Sequence, residues 1–453
     1  MKPFLPICLF LLAAGPWGLA QPAIPVDQSA WRDAAFLGRF LQSYGVRGEI
    51  EPAISRNEEN VLQQVAAAMR EDRLAEALTR LETTLRPDSN AALYFVAGNL
   101  HFQKGHHAAA AERYAEALDR FPDFLRAHQN RALATLYAGD DEQALAHLRE
   151  VYRLGGREPQ TYGLLGFVLQ QRGSYASAEN AYRMALLLEP EERPWRIGLA
   201  QALLAQDRDA EAAGLLAELR QQEPLDANIL GLSANLALRS EDPWQAAPYL
   251  EMLRRLDSPD RLTLLTLADL YLNEEMPSLA LPLYHEALSR EPGEAAAGVL
   301  RAARMLLRRD DPETAADLKE KVAAASASLN PSDQFTLRLL TAELTRATGE
   351  ATDALAQFRA LAQEAPREGE VLIPFAELLA GSDRETEAAL VWAQARAVPD
   401  HRTRIQANLS EARFLAAARR YGEALERMDA ALALEDRPAW RSYRETLATL
   451  HNE

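Results

Sequence analysis

Thr161 to Pro190 reads TYGLLGFVLQQRGSYASAENAYRMALLLEP, with apolar residues at helical spacing but Gly166, Ala178 and Ala185 where larger side chains would bury more surface. A helix gives up buried area in this way where a neighbour lies too close to admit more. With Pro159 as position 1, Tyr162 is position 4, Leu165 and Gly166 are 7 and 8, Gly173 is 15, Ala178 is 20, Tyr182 is 24, Ala185 is 27 and Pro190 is 32. The same grid returns 34 residues at a time. Upstream it holds Tyr94, Ala97, Gly98, Gly105, Ala110, Tyr114, Ala117 and Pro122; downstream it holds Leu264, Leu267, Ala268, Tyr271, Ala280, Tyr284, Ala287 and Pro292.

Each unit is therefore expected to be two antiparallel helices whose backbones meet at positions 8, 20 and 27, with larger residues at 4, 7, 11 and 24 filling the space around them. A bulky residue at such a contact costs about 1 to 3 kcal/mol through overpacking. A 34-residue period with this pattern resembles the tetratricopeptide repeat (TPR) superfamily. The resemblance implies an all-α, right-handed α-solenoid of about eleven antiparallel helix-pair units with N- and C-terminal capping helices. Further units are marked by Ala144 and Leu148; Ala200, Ala212, Leu216 and Pro224; Ala234, Ala246 and Leu250; Ala342, Ala354, Phe358 and Pro366; Ala376, Ala388, Trp392 and Ala395; and Ala412, Ala424, Met428 and Ala431. Two units fit the grid poorly. The one at 58–88 has no small residue at position 8, and the one at 295–332 has Thr314 at position 20, Lys321 at 27 and an expected longer second helix.

The array is thus expected over 58–436, and its ends are legible too. Residues 437–453 place Trp440, Tyr443, Leu447 and Leu450 at helical spacing, as a terminal cap requires. At the front, Ser29 to Tyr44 is an amphipathic helix with Trp31, Ala35, Phe36, Leu37, Phe40 and Leu41, which either caps the array or serves as a docking arm. Within 21–57, the connector GVRGEIEPAIS leads to Ser55 and Glu58, spaced as a capping box. Residues 1–20, MKPFLPICLFLLAAGPWGLA, read as a secretory signal peptide: Lys2, an apolar run, then small residues before the cut. An uncleaved anchor is the alternative, although the run is short for a membrane span.

Composition narrows the function classes. Of 453 residues, 48% are hydrophobic and 25% charged, which is the range of folded proteins. The sole cysteine, Cys8, lies in the leader, so the mature chain is expected to have no disulfide and no thiolate chemistry. The net charge of −17 becomes −18 when Lys2 leaves, and both signs are interspersed, which disfavours nucleic acid and anionic lipid. No later segment is apolar enough to span a bilayer.

No constellation carries catalysis, and no cofactor or metal is expected. HEALS at His285 to Ser289 has serine where a zinc-hydrolase helix needs its second histidine. His101, His106 and His107 form the one histidine cluster and read as solvated helix and turn residues, with transition-metal binding as the alternative.

Repeat solenoids bind along the concave face lined by the first helix of each unit. In relatives, positions 2, 5, 9 and 12 or 13 point into that groove, which implies Phe95, Asn99, Phe102, Gln129, Asn130, Leu133, Leu136, Phe167, Gln170, Gln171, Ile197, Gln201, Leu204, Asn228, Asn235 and Leu238 here. An amide and aromatic lining suits an extended or helical peptide segment, or a glycan. The alternative is that Phe95 and Phe102 pack between units. Further on, Leu262, Leu265, Asp269, Glu343, Glu370 and Glu377 make a more acidic strip suited to a basic segment. The resemblance implies a non-catalytic interaction scaffold or adaptor, exported to the bacterial periplasm and binding envelope proteins. A chaperone or assembly factor for an export or energy-transduction complex stays open, as does a glycan-binding protein or enzyme. FLGRFLQSYGVRGEIEP, followed by the array, is also similar to periplasmic repeat proteins associated with TonB-type energy transduction.

Overall fold

The computed structural model describes residues 48–71, 73–256 and 259–452. The leader, Cys8 and the front segment Ser29 to Tyr44 lie outside the described residues. Within them the fold is an all-α helical-repeat solenoid with no strand. The helices are α1 (Arg56–Arg70), α2 (Leu74–Thr84), α3 (Ala91–Gln103), α4 (His107–Arg120), α5 (Leu125–Tyr137), α6 (Asp141–Arg153), α7 (Pro159–Gln171), α8 (Tyr175–Leu188), α9 (Arg193–Leu204), α10 (Asp209–Gln222), α11 (Ala227–Leu238) and α12 (Ala247–Arg255). They continue as α13 (Arg261–Asn273), α14 (Pro277–Arg290), α15 (Pro292–Arg308), α16 (Pro312–Ala324), α17 (Pro331–Ala347), α18 (Ala351–Glu364), α19 (Gly369–Gly381), α20 (Glu385–Arg396), α21 (His401–Ala417), α22 (Tyr421–Leu434) and α23 (Pro438–Asn452). Eleven antiparallel pairs, α1/α2 to α21/α22, are followed by α23. The chain divides into two compact units, one ending at Leu256 and one following it.

Local chemistry sets the helix ends. Ser55 and Glu58 form a complete capping box on α1. Carboxylate or amide caps of Asn90, Asp140, Asp226, Asp260, Asp311, Asn330 and Asp400 each accept from a backbone N–H of the turn they precede. The tight turn inside a pair needs a left-handed residue, and it recurs at position 15. Glycine supplies it at Gly105, Gly139, Gly173 and Gly349, whereas Asp207, Glu275, Asp383 and Arg419 adopt φ of 57 to 61° at the same place.

The small residues do set helix spacing, through a neighbour of a particular kind. A Cβ on Gly166 would come within 2.8 Å of the Tyr182 ring, and one on Gly98 within 2.5 Å of the Tyr114 ring. The partner at position 8 is thus the position 24 ring of the same pair, rather than helix backbone as the spacing alone suggested. Where position 24 is leucine, position 8 is alanine: Ala132 with Leu148, Ala200 with Leu216 and Ala234 with Leu250, all at most 2% exposed. Tyr182 reaches the next pair as well, since a Cβ on Gly198 would lie 2.4 Å from its ring.

The irregular unit at 295–332 differs from expectation. Its first helix, α15, is the long one at 17 residues, because Pro292 opens a new helix directly after α14 instead of ending a turn. The second helix is 13 residues, with a short 3₁₀ turn after it, and its contacts move off the grid, so that Ala315, Leu318 and Val322 are fully buried. At the end of the chain Trp440, Tyr443 and Leu447 of α23 pack on α21 and α22, while Leu450 is 39% exposed.

Candidate functional site

Within each unit, successive first helices touch directly, from α3 through α11 and from α13 through α21. The side chains along these first helices include those expected to line the inner surface. In the first unit these side chains form lateral amide pairs. Asn99 Oδ1 accepts from Tyr114 Oη and from Asn130 Nδ2, both at 2.7 Å. Gln129 Nε2 donates to Glu158 Oε2 at 3.0 Å and Thr161 Oγ1 at 3.3 Å. Gln170 Nε2 donates to Gln201 Oε1 at 2.8 Å. Asn235 stands further along on α11.

These pairs leave amide ends over. Asn99 Nδ2, Gln170 Oε1 and Asn235 Oδ1 are shielded from solvent and have no hydrogen-bond partner among the described residues. Each such buried, unsatisfied group costs about 1 to 3 kcal/mol. The aromatic part of the expected groove is deeper than its spacing suggested. Phe95 is 1% exposed and packs against Tyr114 and Phe124, Phe102 is 8% exposed against His107 and Tyr137, and Phe167 is 6% exposed. Gln129, Asn130, Leu133, Leu136, Gln170, Gln201 and Asn235 are half-buried, and Gln171 is exposed.

The inner strip of the second unit is neutralised by ion pairs. Arg304 donates two hydrogen bonds to Glu343 at 2.9 and 3.0 Å and one to Glu370 at 2.7 Å. Burial opposes the Arg304 charge, but the two carboxylates outweigh it and hold the guanidinium firmly protonated. Arg346 pairs with Glu377, whose other oxygen accepts from Ser410. Asp269 accepts from Tyr284 Oη at 2.6 Å, with Arg301 at 3.5 Å; burial pushes its carboxyl up. The carboxylates read in the sequence as an acidic strip therefore face matching guanidiniums. Arg304 was missed because it sits at position 10, outside the grid positions assigned to the groove.

The histidines do other work. His101 contacts Glu82, which also takes two hydrogen bonds from Arg113, and His107 stacks on Tyr137 at 4.7 Å between centroids. His285 pairs with Asp317 at 2.8 Å. No group of three or more histidine, cysteine, aspartate or glutamate side chains is placed to hold a metal ion among the described residues. A buried pair that sequence reading did not single out joins α5 to α6: His128 Nε2 donates to the Pro122 carbonyl at 2.8 Å, and His128 Nδ1 lies 3.0 Å from His147 Nδ1. The first bond makes His128 Nδ1 an acceptor, so His147 Nδ1 carries the shared proton. Burial lowers both, His147 to about 4.

A second missed feature is the stretch before α1. Glu51, 7% exposed, receives a bidentate pair from Arg126 at 2.7 and 2.5 Å. The Ala53 carbonyl accepts from Asn90 Nδ2 at 2.7 Å, and the Ile50 carbonyl accepts from the Leu125 N–H at 3.1 Å.

Among the described residues, no helix is long and apolar enough to cross a membrane. Residues 95–159 and 169–236 match family models described as tetratricopeptide repeat. Stress-induced-phosphoprotein 1 of Caenorhabditis elegans is 28% identical over 156 residues, which are 34% of this chain and 48% of that protein. The chain thus spans about half the length of this curated relative. Similar solved structures include a tetratricopeptide repeat protein from Parabacteroides merdae (17% identity, 59% of this chain and 100% of that one, TM-score 0.43) and PilF of Pseudomonas aeruginosa (18%, 46% and 94%, TM-score 0.39). PilW, a type IV pilus biogenesis factor, is similar at 17% identity over 45% of this chain and 94% of that one, with a TM-score of 0.40. The two matched segments, together with helix pairs that return on a 34-residue grid, place the chain in the tetratricopeptide repeat superfamily.

Proposed function

We propose that the protein is a non-catalytic interaction scaffold that holds a segment of a partner protein along the inner face of its first unit. One observation carries this reading: Asn99, Gln170 and Asn235, on three first helices, each leave one amide end buried and unsatisfied. Polypeptide backbone offers both donors and acceptors, so a bound segment completes these amides while Leu133 and Leu136 take its apolar side chains. The leader-like N-terminus supports a cell-envelope setting, with envelope proteins as partners.

Photo-crosslinking tests this. A probe replacing the exposed Gln171 is expected to capture a discrete partner in the native envelope, whereas one replacing Arg183 on the outer helix α8 captures none. The Gln170→Ala/Gln201→Ala variant should lose the adduct and keep its helicity. Equal labelling at both positions, or an adduct indifferent to that variant, overturns the reading.

A further inference from the structure

His128 and His147 share a single proton inside the third helix pair. His128 Nε2–H donates to the Pro122 carbonyl at 2.8 Å, and His128 Nδ1 accepts from His147 Nδ1–H at 3.0 Å. The ring centroids are 5.2 Å apart, and His128 is 7% exposed. The remaining lone pair of the couple is on His147 Nε2. A proton there keeps the bond but sets an imidazolium beside Arg131. A proton on His128 Nδ1 turns two N–H groups toward each other and breaks the bond. The closed couple thus has no good place for a second proton, whereas a ring opened to water takes one near the ordinary histidine value.

The surrounding charges act in the same direction. Arg131 on α5 and Arg153 on α6 disfavour a cation at His128, and Glu150 on α6 favours one. Arg131 is opposed by Asp119 near the end of α4, while Arg153 is tied to Glu150 and to Asp123 in the turn before α5. The helices packed on the other sides of α5, α3 and α7, contain no Asp, Glu, Lys or Arg, and His101 of α3 is engaged by Glu82. Glu51 is occupied by Arg126 and Glu158 by Gln129. Two guanidiniums therefore face the couple against one carboxylate.

The couple also sits where loosening has a consequence. Gln129 and Asn130 follow His128 directly, and they tie α5 to both neighbouring pairs: Gln129 to Glu158 and Thr161 at the start of α7, Asn130 to Asn99 on α3. We propose that the His128 and His147 couple is an acid-released latch on α5, which locks the third helix pair at neutral pH and lets it open locally on acidification, taking the lateral bonds of Gln129 and Asn130 with it. Retention of a partner on the inner face then weakens in acid. That last step rests on the scaffold reading above; the latch does not.

The test is amide hydrogen exchange of the full chain at pH 7 and pH 5, with each rate corrected for its intrinsic pH dependence. Protection in α5 and α6 is expected to fall about tenfold at pH 5 while α8 to α11 and α13 to α23 keep theirs. His147→Gln, which still donates to His128 but takes up no proton, should abolish that fall and keep protection at pH 7 near that of the parent. A fall spread evenly over all helices, no fall in α5, or a fall that survives in His147→Gln overturns the proposal. Nitrogen-15 histidine spectra of the unaltered chain need no variant. Two imidazoles that stay neutral at pH 5.5, one protonated at Nε2 and the other at Nδ1, are expected, and titration of every histidine near the ordinary value of about 6.5 counts equally against the latch. No adduct at Gln171 at pH 7 would remove the scaffold reading alone. An adduct undiminished at pH 5 while α5 opens would remove the retention step alone.

Discussion

Gly166 shows how one absent side chain positions two helices. The Tyr182 ring, 2% exposed, occupies the space that a Cβ would need, so both helices of the pair approach to the ring's thickness. Gly166→Leu is expected to destabilise the first unit by about 3 kcal/mol, at the upper end for overpacking. Gly166→Ala/Tyr182→Leu recreates the pairing seen at Ala132 with Leu148, and should recover part of the loss of Gly166→Ala alone. A thermal-melt double-mutant cycle measures this, and strict additivity would remove the pairwise contact from the account. His147 acts at the same scale through charge. Its folded state resists protonation, chiefly because it is buried beside Arg131 and His128, with Glu150 opposing weakly. The unfolded chain therefore binds more protons between the ordinary histidine value near 6.5 and about 4. Stability is complete above pH 6.5 and falls by about 1 to 2 kcal/mol on acidification to pH 5. His147→Gln, whose amide can still donate to His128, should flatten that slope in denaturant titrations at pH 7 and pH 5.

At the scale of elements, the parts that were legible in the sequence are those in which each residue answers to a neighbour at fixed spacing. Positions 8, 20, 24 and 27 recur because every pair repeats the same contact, so Ala178, Tyr182 and Ala185 announced their helix before any coordinates. The capping box at Ser55 and Glu58 was legible for the same reason, since its two members stand three positions apart. What the sequence hid was contact without period. Glu51 meets Arg126 across 75 residues, and no spacing rule links them. The lateral pairs Asn99 with Asn130 and Gln170 with Gln201 join adjacent repeats at a separation of 31 residues, off the 34-residue period, and their amides could as well have faced outward to a ligand. In α15 and α16 the grid failed because Pro292 began a helix early and moved the buried set to Ala315, Leu318 and Val322. The stretch before α1 gives the test at this scale. Glu51→Ala leaves Arg126 in place with its carboxylate gone, and truncating one member of a largely buried pair costs about 3 kcal/mol or more. That cost should appear as local opening: faster amide exchange at the Leu125 N–H and in α1, with α7 to α12 unchanged.

Across the whole molecule, stability in a repeat array is carried by each pair and its immediate neighbours. The described residues accordingly hold several apolar clusters, among them one from Leu62 to Ala134, one from Ala132 to Val168, one from Ala178 to Leu232, one from Leu339 to Ala407 and one from Ala412 to Leu447, with Leu133, Leu169 and Phe414 each packed against two neighbouring ones. The two compact units meet in sequence at Leu256, and each carries clusters of its own. Unfolding is therefore expected in more than one step, with a calorimetric enthalpy above the van't Hoff value. The terminal helix decides which step moves. Leu447 is 2% exposed and, with Trp440 and Tyr443, covers the apolar side of α21 and α22. Leu447→Ala/Trp440→Ala removes that cover and should cost the second unit about 4 kcal/mol or more from large-to-small truncation. The first unit, whose clusters share no residue with α23, should keep its transition and its protease resistance. Limited proteolysis read by mass spectrometry distinguishes the outcomes: early cleavage confined to residues after 400 supports independent units, whereas a simultaneous loss of fragments from α3 to α9 would show one cooperative array.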